Sequence, residues 1–81
     1  MRHELKIRES YFAAVKDGTK TFEIRENDRG FQKGDEVVLR EISDIDNTYT
    51  GNSIEVRITY VTNYNQKENW VALGFKVIGV N

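Results

Sequence analysis

The sequence predicts an α+β protein that is mainly β: about five strands and one short N-terminal helix, in the order β-α-β-β-β-β. Three observations carry this. Apolar residues recur with a period of two along most of the chain, and switch to helical spacing only once, in ESYFAAVKDG. The strand-like segments are long and β-branched, as in IEVRITYVTNY. Proline is absent, so glycine punctuates the chain, from Gly18 to Gly79. Five strands and one helix on a short chain are most economically arranged as a small, partly closed barrel with the helix at one end.

Each element has its own signal. In HELKIR, Leu5 and Ile7 lie on one side and Glu4, Lys6 and Arg8 on the other, the alternation of a half-buried strand. Tyr11, Phe12 and Val15 follow helical spacing, Ser10 is a suitable N-cap and Gly18 a natural stop, giving a helix of about two turns. TKTFEIRE returns to period two, which predicts Phe22 and Ile24 toward the core and Thr21, Glu23 and Arg25 away from it. NDRGFQKGD is a turn-rich connection ending at Gly34-Asp35, the entry to the strand EVVLREI. SDIDNTYTGNS reads as a polar hairpin loop. In the next strand Ile54, Val56, Ile58 and Tyr60 share the core side, opposite Glu55, Arg57 and Thr59. After the turn NQKEN, WVALGFKVIGV closes the fold as a mostly buried strand.

Composition narrows the function classes. The 81 residues are expected to form a single domain, 1–81, because a second core could not be filled. Without cysteine there is no disulfide, thiol nucleophile or Cys-based zinc site, and one histidine rules out multi-His metal motifs. No metal and no cofactor are therefore expected. No apolar run approaches the ~20 residues of a membrane helix, and no leader-like segment precedes the first strand, so the expected setting is cytoplasmic, with no membrane partner. Twelve Lys and Arg against 13 Asp and Glu, a net charge of −1, argue against a non-specific polyanion binder. A small basic groove for a few nucleotides remains compatible with that balance.

The segment GTKTFEIRENDR concentrates the chemistry. Glu23 and Arg25 are two apart on a strand, so they leave the same face about 6.5–7 Å apart. Arg25 suits a phosphate or a base edge, and Glu23 can accept from an exocyclic amino group. Lys20 has the opposite parity and joins them only from the turn after Gly18. The plain alternative is a solvated face with an ion pair worth ~0–1 kcal/mol. Arg29 is a phosphate contact or a structural salt bridge. His3 can act as a base or stack on a nucleobase, against a purely structural role. Tyr49 and Tyr64 are stacking candidates, Trp70 a core or rim residue, and Lys16 and Lys33 possible extensions of a phosphate track.

GTKTFEIR resembles the G-x-K-x-x-E-x-R signature of the ASCH domain (activating-signal-cointegrator homology), a branch of the PUA-like superfamily. Gly18, Lys20, Glu23 and Arg25 carry it. HELKI, NDRGFQKGD and WVALGFKVI resemble a bacterial and phage-associated ASCH-like branch of unknown function, so the similarity covers about residues 3 to 78. The resemblance implies a PUA-like β-barrel with a cleft between barrel and helix, lined by Lys20, Glu23 and Arg25; Arg29 and His3 are added as ligand contacts from the reading of the residues above. It implies binding of RNA or a nucleotide-like small molecule and a role in RNA metabolism. The sequence does not give the oligomeric state, and a monomer is the default. Some relatives are amidohydrolases acting on acetylcytidine through the signature lysine, a threonine three residues later and a glutamate on a later strand. Lys20 matches the lysine, but Glu23 stands at the threonine position. Lys20 and Glu23 are thus the catalytic candidates of an alternative reading, with Glu55 as another proton shuttle. A protein-interaction module without a nucleic-acid role is the third.

Overall fold

Strands β1 (Arg2–Arg8), β2 (Phe22–Glu26), β3 (Glu36–Ile42), β4 (Tyr49–Thr62) and β5 (Trp70–Val80), with helix α1 (Glu9–Lys16) after β1, make up the computed structural model, which describes residues 1–81. They form one sheet in the order β1-β3-β4-β5-β2, curled into a half-barrel. This is the predicted class and element order. No helix is long and apolar enough to cross a membrane.

The topology places the site. β1 pairs in parallel with β3, and every other pairing is antiparallel. A parallel pair needs a long crossover, and here α1, β2 and the following loop supply it. Strands β1 and β2, neighbours in the chain, therefore become the two edges of the sheet, with α1 spanning between them. Their free edges define an open seam.

Thirteen buried apolar residues form the core, drawn from β1, α1, β3, β4, β5 and Phe31. None comes from β2. Phe22 and Ile24, predicted to face the core, are 46% and 47% exposed, whereas Glu23 is 8% exposed. The cause is register. Glu23 lies opposite Leu73 and Arg25 opposite Val71, both inward on β5, while Phe22 and Ile24 lie opposite Gly74 and Ala72. Cross-strand partners share a face, so β5 imposes its own polarity on β2. The small residues Gly74 and Ala72 give the outer face room for Phe22 and Ile24.

Three other expectations are corrected. Tyr60 is 65% exposed, because the register of β4 on β5 slips between Ile58 and Tyr60. The extra residue turns Tyr60 outward and lets Val61 pack on the core. β4 begins at Tyr49, so the supposed loop is shorter, ending at Thr48, and its last five residues, Tyr49 to Ser53, are strand; Thr50 and Asn52 donate hydrogen bonds to buried Glu41 at 2.7 and 3.0 Å. Ser10 does not cap the helix, since Arg8 holds the N-cap position. Asp44 does part of that work from the β3–β4 loop: its carboxylate accepts the Ser10 N–H at 3.3 Å, and its own N–H donates to Glu9 at 3.2 Å.

The helix stop is as predicted. Gly18 has φ +87°, a conformation that favours glycine, and its N–H reaches Val15 O. The Lys20 N–H then donates to Ala14 O at 3.0 Å. This tight return fixes where Lys20 leaves the helix.

Candidate functional site

The parity of β2 sets the site's electrostatics. Buried Glu23 receives Lys20 Nζ at 3.5 Å from Oε1 and Arg25 Nε at 3.2 Å from Oε2. Removing a carboxylate from water is costly unless paired; two cations meet that requirement. Lys20 reaches Glu23 from the turn before β2, overcoming its unfavourable strand parity. Its ammonium also lies 4.2 Å from the Phe22 ring centre and 5.1 Å from that of Tyr11.

Arg25 does more than pair with Glu23. Its Nη2 donates to Lys6 O on β1, so one side chain links the two edges of the sheet. Arg29, from the loop after β2, donates through Nη1 to Glu4 O on the same edge. Two arginine–carbonyl bonds thus cross the seam where a closed barrel would have a strand ladder. Arg29 also has a looser pairing with Asp28, at 3.5 Å.

Beside this seam lies a cleft of about 340 Å³. β1 contributes Lys6, Ile7 and Arg8, α1 contributes Tyr11, and β2 contributes Glu23, Ile24 and Arg25; Ile42 and Trp70 complete it. Lys20 is held against Glu23 but is not part of the lining. An adjoining cavity of about 390 Å³ shares Lys6 and Arg25 and adds Glu4, Leu5, Arg29, Arg40 and Tyr49. Two more cavities, of about 270 and 370 Å³, follow the turn before β5 and share Trp70. No group of three histidine or acidic side chains is placed to hold a metal.

The predicted residues separate accordingly. Lys20, Glu23 and Arg25 come together, and Arg29 joins Arg25 in lining the second cavity. His3 does not join them. It is buried, its Nε2 is 2.9 Å from Asp35 Oδ2, and its ring meets Phe31 edge-on at 4.8 Å. None of the cavities includes it, which makes it an internal anchor. The hydrogen bond from His3 holds the Asp35 carboxyl below its ordinary range, against the opposing effect of burial. Glu55 pairs with Arg2 at 3.5 Å rather than approaching Glu23's cleft. Tyr64 is exposed at a turn, and Lys16 and Lys33 are exposed and line no cavity.

Sequence reasoning missed Lys6, Arg40 and Tyr11. The first two sit on the solvent side of regular alternation, where charge is unremarkable. Only the pairing of β1 with β3, which sets Lys6 directly beside Arg40, singles them out.

Fold and site together define a class: a small half-barrel protein with a charged cleft at its open seam. The chain belongs to the family described as "Domain of unknown function (DUF3850)", which matches residues 2–75. It is 40% identical over 60 residues to an uncharacterized 12.9 kDa protein in the GpA 3′ region of Escherichia phage P2. That match covers 74% of this chain and 53% of the phage protein, so the chain spans about half the length of that relative. The crystal structure of hypothetical protein PH0355 is similar with a TM-score of 0.64, covering 96% of this chain and 100% of that one. At 16% identity this is a likeness of fold alone.

Proposed function

We propose that the chain is an ASCH/PUA-like module that binds RNA or a nucleotide-like ligand in the seam cleft, in the service of RNA metabolism. One observation carries the reading: a buried carboxylate, Glu23, is fixed between two cations and lines a cleft. Such a carboxylate is oriented in advance, which lowers the cost of recognising a donor. It can accept a hydrogen bond from an exocyclic amino group such as that of cytosine. Arg25 has five N–H donors and uses two, on Glu23 and Lys6 O, leaving three. Tyr11 and Trp70 in the lining offer faces for a base, worth ~1–3 kcal/mol when stacked.

Hydrolysis of acetylcytidine ranks below binding, because Lys20, its nucleophile, stays outside the cleft lining. A second reading draws on the outer face of β2. Phe22, Ile24 and Trp70 are partly exposed together there, an apolar surface suited to a protein partner.

The test is a thermal-shift screen of the intact chain against nucleosides, nucleotides and short RNAs. A ligand that binds the native state raises its melting temperature by mass action. The proposal expects at least one amino-bearing base to do so, and expects Glu23→Gln to reduce the shift. No shift with any of them would overturn it in favour of the protein partner.

A further inference from the structure

We infer that the cavity adjoining the cleft is a phosphate subsite, taking the phosphate of a nucleotide whose base and sugar occupy the cleft; this rests on the nucleotide reading above. Charge comes first. The chain as a whole is −1, yet the cavity gathers Lys6, Arg25, Arg29 and Arg40 against a single carboxylate, Glu4. Such a concentration draws anions into a concave space.

Register supplies a second argument. Lys6 and Arg40 are direct neighbours across β1 and β3, an arrangement that costs stability because like charges face each other. Tyr49 offsets part of that cost. Its ring centre lies 4.4 Å from the Arg40 guanidinium and 5.8 Å from Lys6 Nζ, so one aromatic ring steadies both cations.

The remaining cations are fixed in advance as well. Arg25 and Arg29 are tied to the carbonyls of Lys6 and Glu4, which orients their guanidinium groups while leaving N–H donors free. The competing carboxylates are weakly placed. Glu4 meets Arg40 at 3.3 Å with its side chain 65% exposed, and Asp28 meets Arg29 at 3.5 Å, also exposed. Pairs of that kind contribute little, so an incoming phosphate can displace them. Lys6 has no carboxylate partner at all among the ion pairs of the fold. Because Lys6 and Arg25 belong to both cavities, one ligand can span them, with its base toward Glu23 and its phosphate toward Arg40.

The experiment is calorimetric titration of the intact chain with cytidine, cytidine 5′-monophosphate and inorganic phosphate at low and moderate salt. The subsite predicts that the monophosphate binds at least tenfold tighter than the nucleoside, with the advantage shrinking as salt rises. In Arg40→Gln the ratio of the two affinities falls toward one, while Arg40→Lys retains part of it. Circular dichroism melts establish that both variants fold. Equal affinity for nucleoside and monophosphate overturns the subsite and leaves the cleft reading standing. Binding of inorganic phosphate with no gain from an attached nucleoside overturns the nucleotide assignment and the cleft reading with it. Absence of binding by all three overturns the subsite, and the screen against the other bases and short RNAs then decides the cleft reading.

Discussion

Two clusters of charge are buried in this small fold, and they differ in what surrounds them. At one, Asp35 accepts from His3 Nε2 at 2.9 Å and from the Gln32 N–H at 3.1 Å, with Phe31 against the imidazole. The group reaches no cavity, and its hydrogen-bonding capacity serves the strand entry at Gly34-Asp35. At the other, Glu23 is equally buried and also paired, but it lines a cleft, and its partner Arg25 keeps spare donors. Burial and pairing alone therefore do not mark a site. What separates the two is unused polar capacity facing open space.

That contrast is open to test by substitution. Asp35→Ala is expected to have the largest effect on stability, a loss of about 1–3 kcal/mol, since it strands a buried histidine donor. Urea unfolding measures it, and ligand affinity per folded molecule should be unchanged. Acid sharpens the same point. The Asp35 carboxyl is held below its ordinary range in the folded state, so the unfolded chain takes up a proton first as pH falls. Its contribution is therefore complete above the unfolded value of about 4 and lost as pH drops through the lower, folded one. Accordingly, Asp35→Asn should be less stable than the parent at neutral pH, with the gap closing below about pH 4.

Glu23→Gln keeps the side-chain volume and should cost less, on the order of 1 kcal/mol, because Lys20 and Arg25 both retain access to water. Its main effect should fall on ligand binding. Smallest of all is Tyr60→Ala. The bulge places this tyrosine outside the core, so denaturant melts should shift by no more than about 0.5 kcal/mol. A loss of several kcal/mol would mean that Tyr60 packs inward and that β4 runs without the slip.

Local pattern made much of this legible. The alternation of Leu5 and Ile7, the helical spacing of Phe12 and Val15, and the glycine stop at Gly18 all depend on neighbours in the chain, and all appear in the structure. What escaped depends on distant partners. The side that β2 presents is set by its register on β5, so Phe22 and Ile24 looked like core when Glu23 and Arg25 were inward. Tyr60 followed a perfect alternation that one bulge interrupts. Helix capping by Asp44 comes from residues more than thirty positions away. The site shows the same division. Lys20, Glu23 and Arg25 stood out as a cluster in the chain, whereas Lys6 and Arg40 become neighbours only through the parallel pairing of β1 and β3.

The central claim is that the cleft at Glu23 is where a ligand binds, and its most direct test compares melting temperatures of the parent chain and Glu23→Gln with cytidine 5′-monophosphate added. At a ligand concentration one hundred times Kd, binding stabilises a native state by about 2.7 kcal/mol. The account predicts a clear upward shift for the parent and a much smaller one for the variant at the same concentration. Equal shifts in both would contradict it, because the ligand would then be held somewhere that does not involve the buried carboxylate.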